Sequence, residues 1–332
     1  MTAPLDQRKP RRGEHTLRFF RLLPFLCALP LMLVPGAETA EAVRASLALC
    51  YFSVIPSLFP FLVLSELLLR GGLGALLPRA LLRPLEKRLS LSSHAVTALL
   101  LGWLCGFPVG ARCLLGAREE GRISDEECER ALLFCGIPSP AFLIGAVGGR
   151  IVGGRRTGVM LYALCVGISL LLGLLLARFD RAKQKKEVSP LACSAESPTP
   201  RMSRLLTEAV GGALGGILQV CAYVLFFSAV SALGKTLLEW CGAPMGVGAI
   251  AASLLEISGG MQAAITLEAP KLCIPLAAFC AGWSGLSVHL QVLALAKDHP
   301  IAVGRYLGVK LLQGLLCALL AYGALFLFPF FG

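Results

Sequence analysis

Two polar, glycine-broken stretches interrupt a sequence apolar enough for a bilayer, and they restrict what the chain can fold into. One is Gly106-Phe107-Pro108-Val109-Gly110-Ala111-Arg112, which follows the apolar run 95–105. The other is Gly282-Trp283-Ser284-Gly285-Leu286-Ser287-Val288-His289-Leu290-Gln291, which follows 274–281. Lipid cannot satisfy a broken backbone, so such breaks persist only inside protein or beside a water-filled cavity. One in each half predicts a transporter-like binding site near the bilayer midplane.

The membrane class follows from composition. Of 332 residues, 56% are hydrophobic and only 15% charged, whereas soluble domains carry about a quarter charged residues. Apolar stretches of the length a bilayer needs recur along the chain, and roughly eight segments, some broken, are expected. The net charge of +11 sits in short clusters between apolar runs. That placement speaks for topology and against a nucleic-acid footprint. The thirteen cysteines include no C-x-x-C pair, so they read as packing thiols, with no metal site and no cofactor expected.

Five regions are expected. Residues 1–18 form a basic cytoplasmic tail, 19–178 an N-terminal membrane half, 179–204 a basic flexible linker and 205–332 a C-terminal membrane half. The tail and the linker carry the positive charge that marks a cytoplasmic side. The apolar run 19–34 reads either as a retained first helix or as a signal peptide, the retained helix being simpler. Within 45–69, Pro56 and Pro60 predict a kink, and Glu66 sits near the end of that span. Residues 70–94 predict a basic amphipathic helix on the membrane surface. Ser124 with Glu127 predicts a capped, soluble-looking helix. The sequence Gly136-Ile137-Pro138-Ser139-Pro140 then predicts a further break.

The two long breaks also echo each other, Gly106–Arg112 against Gly285–Gln291, which suggests two related halves.

These stretches resemble the nucleoside recognition (Gate) domain proteins, and within them the YlbJ family of sporulation integral membrane proteins. The residues that carry the resemblance are Pro56-Ser-Leu-Phe-Pro-Phe61 with Ser65-Glu66, Gly106 to Arg112, Ser139-Pro140-Ala-Phe142 and Gly285 to Gln291. They occur in order over about 45–330. Gly136-Ile137-Pro138 stands where the family has an Asn-containing stretch. The resemblance implies an all-α polytopic membrane protein of the bacterial cell membrane, with broken or re-entrant helical hairpins, similar to concentrative nucleoside transporters. It implies movement of dipicolinic acid during endospore formation. The alternatives are a nucleoside or other small solute, or a non-transporting subunit among other sporulation membrane proteins. A homo-oligomer is compatible with each.

Candidate substrate-binding residues follow from the breaks. Arg112 can pair a carboxylate in a bidentate fork, or it can serve orientation at the interface. Backbone N–H groups around Gly106, Pro108 and Gly110 can receive an anion at a half-helix start, or these glycines can serve tight packing. Ser139 is a cap or a donor. Glu256, flanked by Ser258, is a candidate buried carboxylate, a proton carrier or counter-ion. Ser284, Ser287, His289 and Gln291 follow the second break. Gln291 offers an amide, and His289 either titrates or bonds a neighbouring helix. No Ser-His-Asp set, metal set or Walker loop is present, so no enzyme is expected.

Overall fold

The computed structural model describes residues 36–70, 78–149, 154–183, 202–267, 270–296, 299 and 301–327, with a few isolated positions before residue 36. The expected tail, most of the first apolar run and most of the linker lie outside the described residues. Among the described residues the chain is helical, with no strand.

Helix α1 (Gly36–Leu49) passes through a π-helical turn (Cys50–Val54) into α2 (Ile55–Arg70). The turn stands where the prolines require it. Pro56 and Pro60 lack the N–H groups that would close bonds to residues four earlier, so the ladder re-registers just ahead of them. Helix α3 (Arg79–Leu89) is the amphipathic connection.

Next come two short helices, α4 (Ser93–Cys105) and α5 (Phe107–Glu119), which meet at Gly106. Thirteen residues of helix reach only about 20 Å, too short for a core of roughly 30 Å. The two arms fold back on each other. Gly106 has φ +98°, a left-handed conformation that favours glycine. Gly102 and Gly110 face each other so closely that a Cβ on Gly102 would come within 2.9 Å of the Gly110 Cα. The stretch 95–117 is therefore a helical hairpin rather than one continuous helix.

Helix α6 (Asp125–Cys135) starts at Ser124, whose hydroxyl accepts from the Glu127 N–H at 3.2 Å. The Glu127 carboxylate accepts from the Ser92 N–H and thereby ties α6 to the start of α4. After Cys135 the chain unwinds through 136–140 and resumes as a π-helical stretch (Ala141–Val147). Helix α7 (Gly154–Lys183) is long and apolar.

The second half repeats this order. Helix α8 (Met202–Trp240) is long. Helices α9 (Met245–Leu255) and α10 (Ile257–Ile265) fold back at Glu256, with Gly260 pressed on Ser253, where a Cβ would meet the Ser253 Cα at 2.5 Å. Helices α11 (Pro270–Trp283) and α12 (Leu286–Leu295) form one apolar span of 25 residues, Lys271–Leu295, interrupted at Ser284-Gly285. Helix α13 (Val303–Leu327) closes the chain and packs on α11, with Gly282 against Gly314.

Each half thus contains a long helix, a helical hairpin, an unwound span and another long helix. This order changes the pairing that the sequence echo suggests. Gly106 lies at a hairpin tip and Gly285 at an unwound span, so in element order Gly106 corresponds to Glu256, and Ser139 to Gly285. Among the described residues, four helices are long and apolar enough to cross a membrane: 154–179, 202–240, 271–295 and 303–327. Three shorter apolar helices, Leu58–Leu68, Ser93–Cys105 and Gly246–Leu255, stand beside them, and the first apolar run lies largely outside the described residues. The chain is an all-α polytopic membrane protein.

Candidate functional site

Each hairpin tip presses against the unwound span of its own half. In the first half, a Cβ on Gly106 would lie 3.4 Å from the Ser139 Cβ. In the second, a Cβ on Gly285 would lie 2.9 Å from the Glu256 Cα. The two contacts meet around one cavity. Gly106, Pro108 and Ser139 line it from the first half, and Glu256, Ser258, Ser287 and Gln291 from the second. Phe107, Phe142, Val220 and Val224 supply apolar wall.

Helix starts face this space. Helix α5 begins after Gly106 and α12 after Gly285, which has φ +86°. Neither has a side-chain cap, so the first N–H groups of both remain available. Helix α10 differs. Glu256 is its N-cap, and Oε2 accepts from the Gly259 N–H at 2.7 Å. Glu256 is 1% exposed, and its Oε1 has no partner among the described residues. The same holds for the fully buried Ser287 Oγ. Two unpaired polar atoms on one wall mark a place where a ligand can complete the hydrogen bonding.

Ser139 is buried, and its Oγ accepts from the Phe142 N–H at 3.2 Å, capping the π-helical restart. Arg112 lies one step away. It lines a small adjoining space together with Pro108 and Gln291. Its Nη1 donates to the Gly212 carbonyl at 2.9 Å and pairs with Glu66 Oε1 at 3.7 Å. Gly212 and Gly216 leave room for this pair, since a Cβ on Gly216 would meet Arg112 Nη1 at 2.7 Å. Glu66, near the end of its span, thus belongs with the site.

Three expected residues stand off the cavity. Gly110 serves the α4–α5 contact. Ser284, at φ +74°, turns its hydroxyl to the Ala281 carbonyl at 3.4 Å. His289 faces α13, where its Nδ1 lies 3.1 Å from the Tyr306 hydroxyl and its ring packs edge-on against Trp283.

Other polar residues of this region escaped the sequence reading. Pro138 and Pro140 have no N–H for the carbonyls four residues earlier, those of Phe134 and Gly136. Both carbonyls find substitutes. Ser169 donates to Phe134 O and accepts from Trp103 Nε1 at 3.2 Å. Lys310 Nζ donates to Gly136 O at 2.6 Å and to Gln313 Oε1 at 3.0 Å. Tyr306, Lys310 and Gln313, at steps of four and three, share one buried face of α13. A lysine inside an apolar span was the available signal.

The chain is similar to the sporulation integral membrane protein YlbJ of Bacillus subtilis (strain 168). Identity is 25% over 311 residues, 84% of this chain and 75% of that protein. The similarity supports the YlbJ family, at moderate identity. No protein-family model matches the chain, and no solved structure does.

Proposed function

We propose that this relative of the YlbJ proteins is a membrane carrier for a small dicarboxylate, dipicolinic acid, acting in endospore formation. The observation that carries the reading is the pair of uncapped helix starts, α5 from one half and α12 from the other, on one cavity wall. Each offers free N–H groups and the positive end of a helix dipole to a carboxylate. Two such ends suit an anion with two carboxylates, and Phe107 and Phe142 suit a flat ring between them. Ser287 and Gln291 add donors that an aromatic nitrogen or a carboxylate oxygen can use.

Arg112 enters this reading as a second shell of positive charge, held by Glu66 beside the cavity. The doubled pattern of hairpin and unwound span supports two related halves and a likeness to concentrative nucleoside transporters, a design in which broken helices build the site. The reading is that of a carrier and not an enzyme. It places the chain in the bacterial cell membrane, with the N-terminus and the linker 179–204 on the cytoplasmic side, as their basic residues favour.

Glu256 Oε1 favours a second reading. A buried carboxylate oxygen without a partner accepts a hydroxyl, which a nucleoside-like solute provides and dipicolinate does not. Proteoliposomes separate the two. Uptake of labelled dipicolinate that unlabelled dipicolinate displaces and uridine does not supports the first reading. Competition by uridine selects the second. Absence of uptake of either leaves a non-transporting membrane subunit of a sporulation complex.

A further inference from the structure

The polar cluster on α13 lies apart from the cavity wall and has a chemistry of its own. Lys310 is 1% exposed, and among the described residues no carboxylate pairs with it. Its titratable neighbours include the thiols of Cys135, Cys165 and Cys317 and the imidazole of His289. Its amine instead meets two carbonyl oxygens: Gly136 O, left open by Pro140 at the C-terminal end of α6, and the side-chain oxygen of Gln313. The Gln313 amide nitrogen has no partner among the described residues, so that side chain is oriented by its oxygen alone.

Carbonyls released by an unwound membrane helix, at the negative end of the preceding half-helix, form the kind of site that coordinates a free monovalent cation in carriers. We propose that the Lys310 amine is a tethered substitute for such a cation, held between the Gly136 carbonyl of one half and Gln313 Oε1 of the other. A metal ion at this position must be bound from solution on every cycle. A tethered amine is always present, so the break stays pinned to α13 without sodium. The carbonyl site persists when the amine is removed and then accepts a small free cation.

This inference uses the carrier reading only for its consequence that no sodium is needed. Its test measures stability and needs no solute, so the two can fail separately. The full-length protein, purified in detergent, is melted in choline chloride, sodium chloride, potassium chloride and ethylammonium chloride. The wild type is expected to melt at the same temperature in all four. Lys310→Ala is expected to melt several degrees lower in choline and to recover at least half of that loss in ethylammonium or sodium. Lys310→Met, which fills the space without a polar head, is expected to stay low in all four salts.

A wild type stabilised by sodium over choline overturns the proposal. So does Lys310→Met melting as high as wild type, or Lys310→Ala indifferent to every cation. An alanine variant that cannot be recovered folded with sodium, potassium or ethylammonium present overturns it as well.

Discussion

Gly285 is packed directly on the backbone of Glu256, so close that a Cβ would stand 2.9 Å from the Glu256 Cα. The unwound span and the hairpin tip of the second half are thereby one structural unit. Gly285 also has φ +86°. Gly285→Ala combines a left-handed strain of about 1–2 kcal/mol with overpacking of about 1–3 kcal/mol. The expected result is a clear fall in melting temperature and loss of solute uptake. Unchanged melting contradicts the contact.

The Arg112–Glu66 pair makes a prediction about charge balance. Both side chains are less than a quarter exposed. Removing one partner leaves a charge with poor solvation, while removing both does not. Arg112→Met and Glu66→Gln are each expected to destabilise by about 1–3 kcal/mol, with a double variant less damaged than the sum. Denaturation of the three variants measures the coupling. Strict additivity rules the pair out as a stabilising unit.

Ser169 links the first hairpin to the first unwound span. Ser169→Ala strips the Phe134 carbonyl of its donor and Trp103 Nε1 of its acceptor. Each unpaired buried group costs about 1–3 kcal/mol. Ser139→Ala removes only a cap and is expected to cost about 1 kcal/mol. Melting curves that reverse this order contradict the account of the proline-released carbonyls.

A pH effect is expected outside the membrane-spanning helices. The Arg118 guanidinium, 2.6 Å from Asp125, holds that carboxyl below its usual range. A carboxyl lowered in the folded state contributes stability above its unfolded pKa and loses it as pH falls through the folded value. The Asp125 side chain is 60% exposed, so the effect is small. Asp125→Asn is expected to lose this small contribution at neutral pH and to converge on the wild type below about pH 4, which flattens the acid limb of the stability profile. A variant that differs from the wild type at pH 3 as much as at pH 7, or more, contradicts this assignment.

The breaks were legible because prolines and glycines state them in the sequence. Pro138 and Pro140 forbid helix bonds, and Gly106 and Gly285 adopt conformations that other residues avoid. The kind of break was not legible. A hairpin differs from an unwound span through tertiary contacts such as Gly102 on Gly110, which local sequence does not announce. The echo between Gly106 and Gly285 has a local cause. Both are left-handed glycines that restart a helix, so similar residues follow them at different places in the two halves. Lys310 was not among the expected site residues, because one charge near the end of an apolar run looks interfacial. Only the fold shows its amine reaching a carbonyl 174 positions away. Glu256 was readable as a buried acid, but its role as a cap with one oxygen left over needed coordinates.

The central claim is that hairpin tips and unwound spans from both halves build one solute site. Equilibrium binding of labelled dipicolinate to the purified full-length protein tests it most directly, with Ser287→Ala and Gly106→Ala as variants from opposite halves. The account predicts saturable binding to wild type and at least tenfold weaker binding to each folded variant. Unchanged affinity in either folded variant, or no saturable binding to wild type, contradicts it.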